Sequence, residues 1–309
     1  MRRGAAAAVV ATVLLAATGC LTPLTSQEPL RPVPVPANPL VGVYEPGAPT
    51  SWSGITEFTS TVGVKPRIVV YYSSWNEPFS ASFAQTAWGH DAYVLVQLEP
   101  RDVTLASIAA GGSDTYLRSY ADEVIAFGHP VILSFGHEMN GVWYSWGNGQ
   151  QSPASFVAAW RHIVGVFRAR GAANVTWLWT VSSIEGASSS LSQWWPGAEW
   201  VTWVGVAGYF YQASDTFHLV LGSTIADIRT FSDAPLLIAE TGVGTTSNRE
   251  SQIDGLFAGV RAERLIGLVW FDQAQHAGIY HQDWRLEDDP AARAAFTAAV
   301  ARYLRGGNA

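Results

Sequence analysis

The chain has 309 residues, with 25 Asp or Glu, 18 Lys or Arg and a formal net charge of −7; charged residues make up 14% and hydrophobic ones 48%. With 29 Gly and 16 Pro this is a folded, lightly charged composition, which excludes a disordered, collagenous or coiled-coil chain. No basic run is present to neutralise phosphates, which argues against nucleic acid as a partner, whereas 14 Trp beside a single lysine, Lys65, call for an explanation.

Arg2 and Arg3 give the chain a cationic start, and Ala5 to Ala17 is an apolar run shorter than the roughly 20 residues that a membrane span needs. Residues 1–19 therefore read as a secretory signal. Cys20 is the only cysteine and cannot pair within the chain. Ala17-Thr18-Gly19-Cys20 resembles the lipobox of bacterial lipoproteins, although Ala17 stands where that pattern prefers Leu. The resemblance implies lipid modification at Cys20 and an extracytoplasmic protein, held at the cell membrane by that anchor alone or else secreted. Residues 20–39 carry the anchor cysteine and a Pro-rich linker, densest from Arg31 to Pro39, which reads as a semi-rigid spacer. Residues 40–309 form one domain with no second linker or repeat.

Eight short apolar runs punctuate that domain: Val41 to Tyr44, Arg67 to Tyr72, Ala92 to Leu98, Val131 to Phe135, Val175 to Trp179, Trp203 to Ala207, Leu236 to Ala239 and Leu265 to Phe271. Between them lie helical patterns at Thr56 to Val62, Ser80 to Ala87, Asp114 to Phe127, Pro153 to Arg170, Asp215 to Phe231, Asn248 to Arg261 and Pro290 to Leu304. Asp, Asn or an early Pro opens the longest of these, as helix starts require. Strands that alternate with helices pair in parallel, and nearly continuous apolar strands are buried on both faces. Eight such units predict a single-domain (β/α)8 TIM barrel. The weakest unit is the connection Val181 to Val201, where a helix is barely visible. A doubly wound open sheet is the second reading, but no Gly-rich phosphate loop follows the first strand.

In a barrel, functional side chains sit at the C-terminal strand ends. Strand four runs into His137-Glu138-Met139-Asn140-Gly141 and strand seven into Ala239-Glu240-Thr241-Gly242. One glutamate in such a place reads as a solvated loop charge. Two, from opposite sides of the barrel mouth, supply the carboxylic acid and the carboxylate that glycosidic bond cleavage requires. Trp143, Tyr144 and Trp146 after strand four and Trp75 after strand two offer flat faces on which the C–H faces of pyranose rings stack. Trp160 and one of Trp177 and Trp179 are assigned to packing.

His137-Glu138-Met139-Asn140-Gly141-Val142-Trp143-Tyr144-Ser145-Trp146-Gly147, with Glu240 downstream, resembles glycoside hydrolase family 26. The resemblance covers Leu40 to Arg305. It implies a retaining (β/α)8 enzyme with Glu138 as acid/base and Glu240 as nucleophile. It also implies that His137 lines the sugar subsite, that Tyr209 hydrogen-bonds the nucleophile, that Trp270 forms an aromatic floor, and that Glu99 supports substrate contacts. Two positions depart from the family pattern: Ser134 stands where Arg is frequent, and Thr202 where Asp is common.

Other carboxylates compete for the chemistry. Glu45, Glu185 and Asp272 also follow strands, and Glu45 and Glu185 read as loop charges. His129, His137, His218, His276 and His281 are scattered, with no metal-binding helix motif, so neither a metal nor a cofactor is expected; His276 and His281 could enter the cleft. A Gly-x-Ser-x-Gly nucleophile turn is missing. The expected function is an endo-acting, retaining β-glycan hydrolase acting as a monomer on a β-linked polysaccharide or oligosaccharide. β-1,4-Mannan is favoured on family frequency, with mixed-linkage β-1,3-1,4-glucan as the alternative. The reading from a different class is a non-catalytic glycan-binding barrel.

Overall fold

The computed structural model describes residues 29–183, 190–275 and 282–304. The signal, Cys20, Glu185, His276 and His281 lie outside the described residues.

Eight parallel strands close on themselves in sequence order: β1 (Leu40–Tyr44), β2 (Ile68–Ser74), β3 (Tyr93–Glu99), β4 (Val131–Phe135), β5 (Val175–Ser182), β6 (Trp203–Phe210), β7 (Leu236–Val243) and β8 (Gly267–Phe271). The seam is the parallel pairing of β1 with β8, Leu40 against Gly267 through Tyr44 against Phe271. The predicted barrel is thus the observed one. Outside it lie α1 (Ser53–Val62), α2 (Ala81–Gly89), α3 (Leu105–Ala109), α4 (Asp114–Phe127), α5 (Pro153–Arg170), α6 (Ser223–Arg229), α7 (Arg249–Ala262) and α8 (Pro290–Ala299).

The helix ends follow from single residues. Ser152 accepts from the Ser155 amide and Pro153 occupies the first turn of α5, while Gly128 and Gly171, at φ 76° and 87°, stop α4 and α5 in the left-handed conformation. Asp289 caps α8 through the amides of Ala291 and Ala292. Asp215, by contrast, does not start the predicted helix. Its carboxylate accepts from the amides of Tyr211 and Gln212 and closes the preceding turn, so a π-helical turn begins only at His218 and α6 at Ser223. The β5-to-β6 connection holds a single 3-10 turn, Leu191–Gln193, among its described residues. The short α3, capped by Thr104, has no counterpart among the predicted helices.

Two apolar layers form. Leu40, Val70, Leu95, Ile132, Leu178 and Trp203 fill the barrel, and alternate residues of the same strands face the helices. Trp177 and Trp179, two residues apart, share the outer face of β5: Trp177 meets Trp160 and Phe167 of α5, and Trp179 meets Trp195. Both are packing residues. Much of the tryptophan excess is this outer layer, with Trp160, Trp179, Trp194 and Trp270 all fully buried.

The described part of the Pro-rich segment is not a free spacer. Val33 is 3% exposed, belongs to the inner cluster and donates its amide to Thr176 Oγ1 at 2.8 Å, near the start of β5. It plugs the N-terminal end of the barrel, so the folded unit starts before Leu40. An extended Pro-rich strand still presents side chains, and an aliphatic one can be buried without any helical or strand period to announce it.

Candidate active site

Inward-facing positions at the C-terminal ends of the strands gather Tyr44, Tyr72, Glu99, Glu138, Tyr209, Glu240 and Phe271 around one mouth. Contacts tie them together: Tyr44 meets Tyr72 edge-on at 5.0 Å and stacks on Phe271 at 4.8 Å, and Phe271 meets Tyr209 at 5.8 Å.

Backbone irregularity aims both central glutamates. Along β7, Leu237 and Ala239 face the barrel interior and Ile238 the helices, so strict alternation would send Glu240 outward. The register against β6 shifts there: Val206 pairs with Ile238, but Ala207 pairs with Glu240. This bulge turns Glu240 into the mouth, where both Tyr72 Oη and Tyr209 Oη donate to its carboxylate. Glu138 follows β4 through Gly136 at φ 53° and itself has φ 55°, a left-handed conformation that non-glycine residues hold only when their surroundings impose it. The imposition is visible. Glu138 N donates to Thr180 O at 2.9 Å; Asn140 bonds Ser182 N and Ser182 O, both at 2.8 Å; and Trp146 Nε1 donates to His137 O at 2.9 Å.

Electrostatics separate the two carboxyls. Burial, and then the negative charge of Glu240, push Glu138 up to about 8, opposed by hydrogen bonds from Trp143 and Ser182. Trp143 Nε1 donates to Glu138 Oε2 at 2.9 Å. Glu240 is also raised by burial, but its two phenol donors pull it back down by stabilising the ionised form. Glu138 is therefore set up to keep its proton at neutral pH, while Glu240 alone has two phenol donors that favour its ionised form. His137 is fully enclosed, its Nε2 lies 3.1 Å from Tyr144 Oη, and burial lowers it to about 3, so the imidazole is neutral.

The predicted aromatic and polar residues divide. Trp143 is 42% exposed at the mouth, and Tyr144 and His137 stand beside it. Glu99 is buried at the end of β3 and receives Arg101 Nε at 2.6 Å. Tyr209 reaches Glu240. Three residues are elsewhere. Trp270 points away from the mouth, because its ring meets Phe296 of α8 and strand alternation gives the inward place to Phe271. Trp75 packs on Tyr116 and Phe135 with its indole N–H on Ser113, closing the start of α4 rather than lining the mouth. Trp146 is 3% exposed and stacks on Tyr144 at 4.3 Å, so it supports the mouth from beneath.

Tyr72 is the main residue that the sequence reading missed. It occupies an inward position of β2, in step with Ile68 and Val70, and counting from that alternation would have found it. Trp284 is fully buried against Tyr209 at 4.7 Å. The two departures from the family pattern lie below the mouth. Ser134 is fully buried and hydrogen-bonded to Thr180 at 3.1 Å, and Thr202 accepts the Trp177 amide just before β6, at the opposite end of the barrel. Glu45 is not a loop charge: it is 7% exposed and grouped with Asp272 and Glu287 on the rim of the β1–β8 seam.

Residues 112–231 match the model of glycosyl hydrolase family 26. The chain is 28% identical over 272 residues to Endoglucanase H of Acetivibrio thermocellus, covering 82% of this chain and 29% of that protein. It is 33% identical over 99 residues to the β-1,3-xylanase TXYA of a Vibrio species, covering 31% of this chain and 19% of that one. The chain thus spans less than a third of either relative. The fold is similar to that of an endo-β-1,4-mannanase double mutant from Cellulomonas fimi, with a TM-score of 0.66, 17% identity and coverage of 86% of this chain and 71% of that chain. Over residues 112–231 the chain is thus similar to glycoside hydrolase family 26, in agreement with the His137-to-Gly147 motif, the relatives and the closed barrel.

Proposed function

We propose that the chain is an endo-acting, retaining β-glycan hydrolase. The observation that carries this reading is the pair of buried carboxyls over one mouth in different hydrogen-bond settings: Glu138, raised to about 8, and Glu240, whose rise two phenol donors oppose. Glu138 protonates the glycosidic oxygen while Glu240 attacks the anomeric carbon, forming a glycosyl-enzyme. Water then displaces Glu240 from that carbon after giving its proton to Glu138, which restores both groups. Trp143 offers the exposed face for a sugar ring beside the bond that breaks, and Tyr144, His137 and Glu99 supply polar contacts around it.

For the polymer, the 28% identity to a protein named endoglucanase supports a β-glucan as the first substrate to test. Family frequency and the mannanase of similar fold favour β-1,4-mannan as the second. Export and anchoring through Cys20, and action as a monomer, complete the proposal. Replacing Glu240 with Ala abolishes turnover, and azide restores it on an activated aryl glycoside, giving a glycosyl azide of inverted configuration. An unaffected rate would falsify the nucleophile assignment. Reducing-sugar release from barley β-glucan, mannan, glucomannan and xylan assigns the polymer, and binding without release from any of them would point to a non-catalytic glycan-binding barrel.

A further inference from the structure

Beside the mouth, three carboxylates from different parts of the chain converge, and none of them forms a salt bridge among the described residues. Glu45 follows β1, Asp272 follows β8, and Glu287 lies in the segment leading into α8; one oxygen from each falls within a single 4.8 Å span. Glu45 is 7% and Asp272 1% exposed, and Glu45 Oε1, Asp272 Oδ2 and Glu287 Oε2 are buried with no hydrogen-bond donor among the described residues. Asp272 Oδ1 accepts the Leu286 amide at 3.1 Å, which leaves its second oxygen toward the cluster. A solvent-open cavity of about 460 Å³ runs past all three. Its one cation, Arg285, is engaged by Asp283 at 2.6 Å and Asp288 at 3.2 Å.

Like charges buried together are costly unless they take up protons or a cation sits among them, and a cation that displaces those protons relieves all three carboxylates at once. All three donors are hard carboxylate oxygens, with no imidazole or thiolate, which selects calcium or magnesium over zinc or copper. Carboxylates from three separate segments suit the variable shell of six to eight oxygens around calcium, whereas magnesium demands a near-ideal octahedron and keeps much of its water. We propose that Glu45, Asp272 and Glu287 hold a calcium ion that fastens the β1–β8 seam to the segment entering α8. The ion is structural. It ties the first strand of the barrel to the last, where Tyr44 already stacks on Phe271.

The test uses the full chain after treatment with EDTA and dialysis, titrated with calcium chloride by calorimetry and followed by thermal unfolding. One calcium binds per chain, and at a hundredfold excess over Kd the unfolding temperature rises by roughly 4 to 8 °C. Asp272→Asn keeps the shape but removes one charge. Its metal-free form unfolds at or above the wild-type metal-free temperature, because repulsion falls, and its calcium affinity drops at least tenfold. Glu45→Gln does the same. Neither binding nor a thermal shift up to about 10 mM calcium would overturn the site, and so would a shift that survives both substitutions. Tighter binding of magnesium than of calcium would overturn the choice of ion.

Discussion

Replacing Glu138 with Gln tests the division of labour between the two central carboxyls. A carboxyl at its ordinary value of 4.5 would be protonated in only about one molecule in three hundred at pH 7, whereas Glu138, raised to about 8, is protonated in about nine of ten. The enclosure thus enriches the acid form by a few hundredfold, in line with the 10²- to 10⁴-fold that general acid catalysis contributes. Glu138→Gln keeps the hydrogen bond from Trp143 Nε1 but has no proton to give. On a polymer, with its poor leaving group, kcat/KM falls by about 10² to 10⁴, while an aryl glycoside with an acidic phenol, which needs no proton, retains most of its glycosylation rate. The wild-type rate profile has an alkaline limb near pH 8, and the variant lacks it. Stability moves the other way. Because folding raises this group's pKa, wild type loses stability as pH climbs from the unfolded value through about 8, and the neutral amide escapes that loss, so the variant is a few kcal/mol more stable at pH 9. Urea unfolding at pH 5 and pH 9 measures the difference. An unchanged rate on polymer with the alkaline limb intact refutes the acid assignment.

Three further outcomes follow from the same geometry. Tyr72→Phe and Tyr209→Phe each remove a donor that holds Glu240 ionised, so the acid limb of the kcat/KM profile moves up in pH while kcat falls about tenfold to a hundredfold; an unmoved acid limb in both variants would show that Glu240 is not the group titrating there. Trp143→Phe keeps a flat face but loses the donor to Glu138, which shifts the alkaline limb upward, whereas Trp270→Phe leaves KM and both limbs in place and lowers stability alone, as chemical unfolding reports. Val33→Ala costs roughly 1 to 3 kcal/mol by emptying part of the barrel plug, a loss that a free spacer would not show.

The barrel was legible because its strands are apolar on both faces and its main helices carry caps, Ser152-Pro153 and Asp289-Pro290 among them. Glu138 and Glu240 were legible as residues just past apolar runs, but not their aim, which depends on a left-handed Glu138 and a bulge at Ala239 that no periodicity announces. Trp270 was misplaced for the opposite reason: alternation was regular there, and it gives the mouth to Phe271. Trp75 and Trp146 sit in loops whose paths only packing reveals. The Glu45, Asp272 and Glu287 group joins positions from both ends of the domain, so nearness in sequence could not expose it.

Val33 also fixes the end of the barrel at which the leading chain joins it. Because the leading chain is stitched to Thr176 at the blunt end, any pull from the amino-terminal side loads the plug and leaves the glutamate-bearing rim undisturbed. A copy moored by that side would hold its open end toward the medium, with the depth of the strands, roughly 25 Å, between the mooring and the bond being broken, so that a long saccharide could lie across the rim without meeting the strand that secures it.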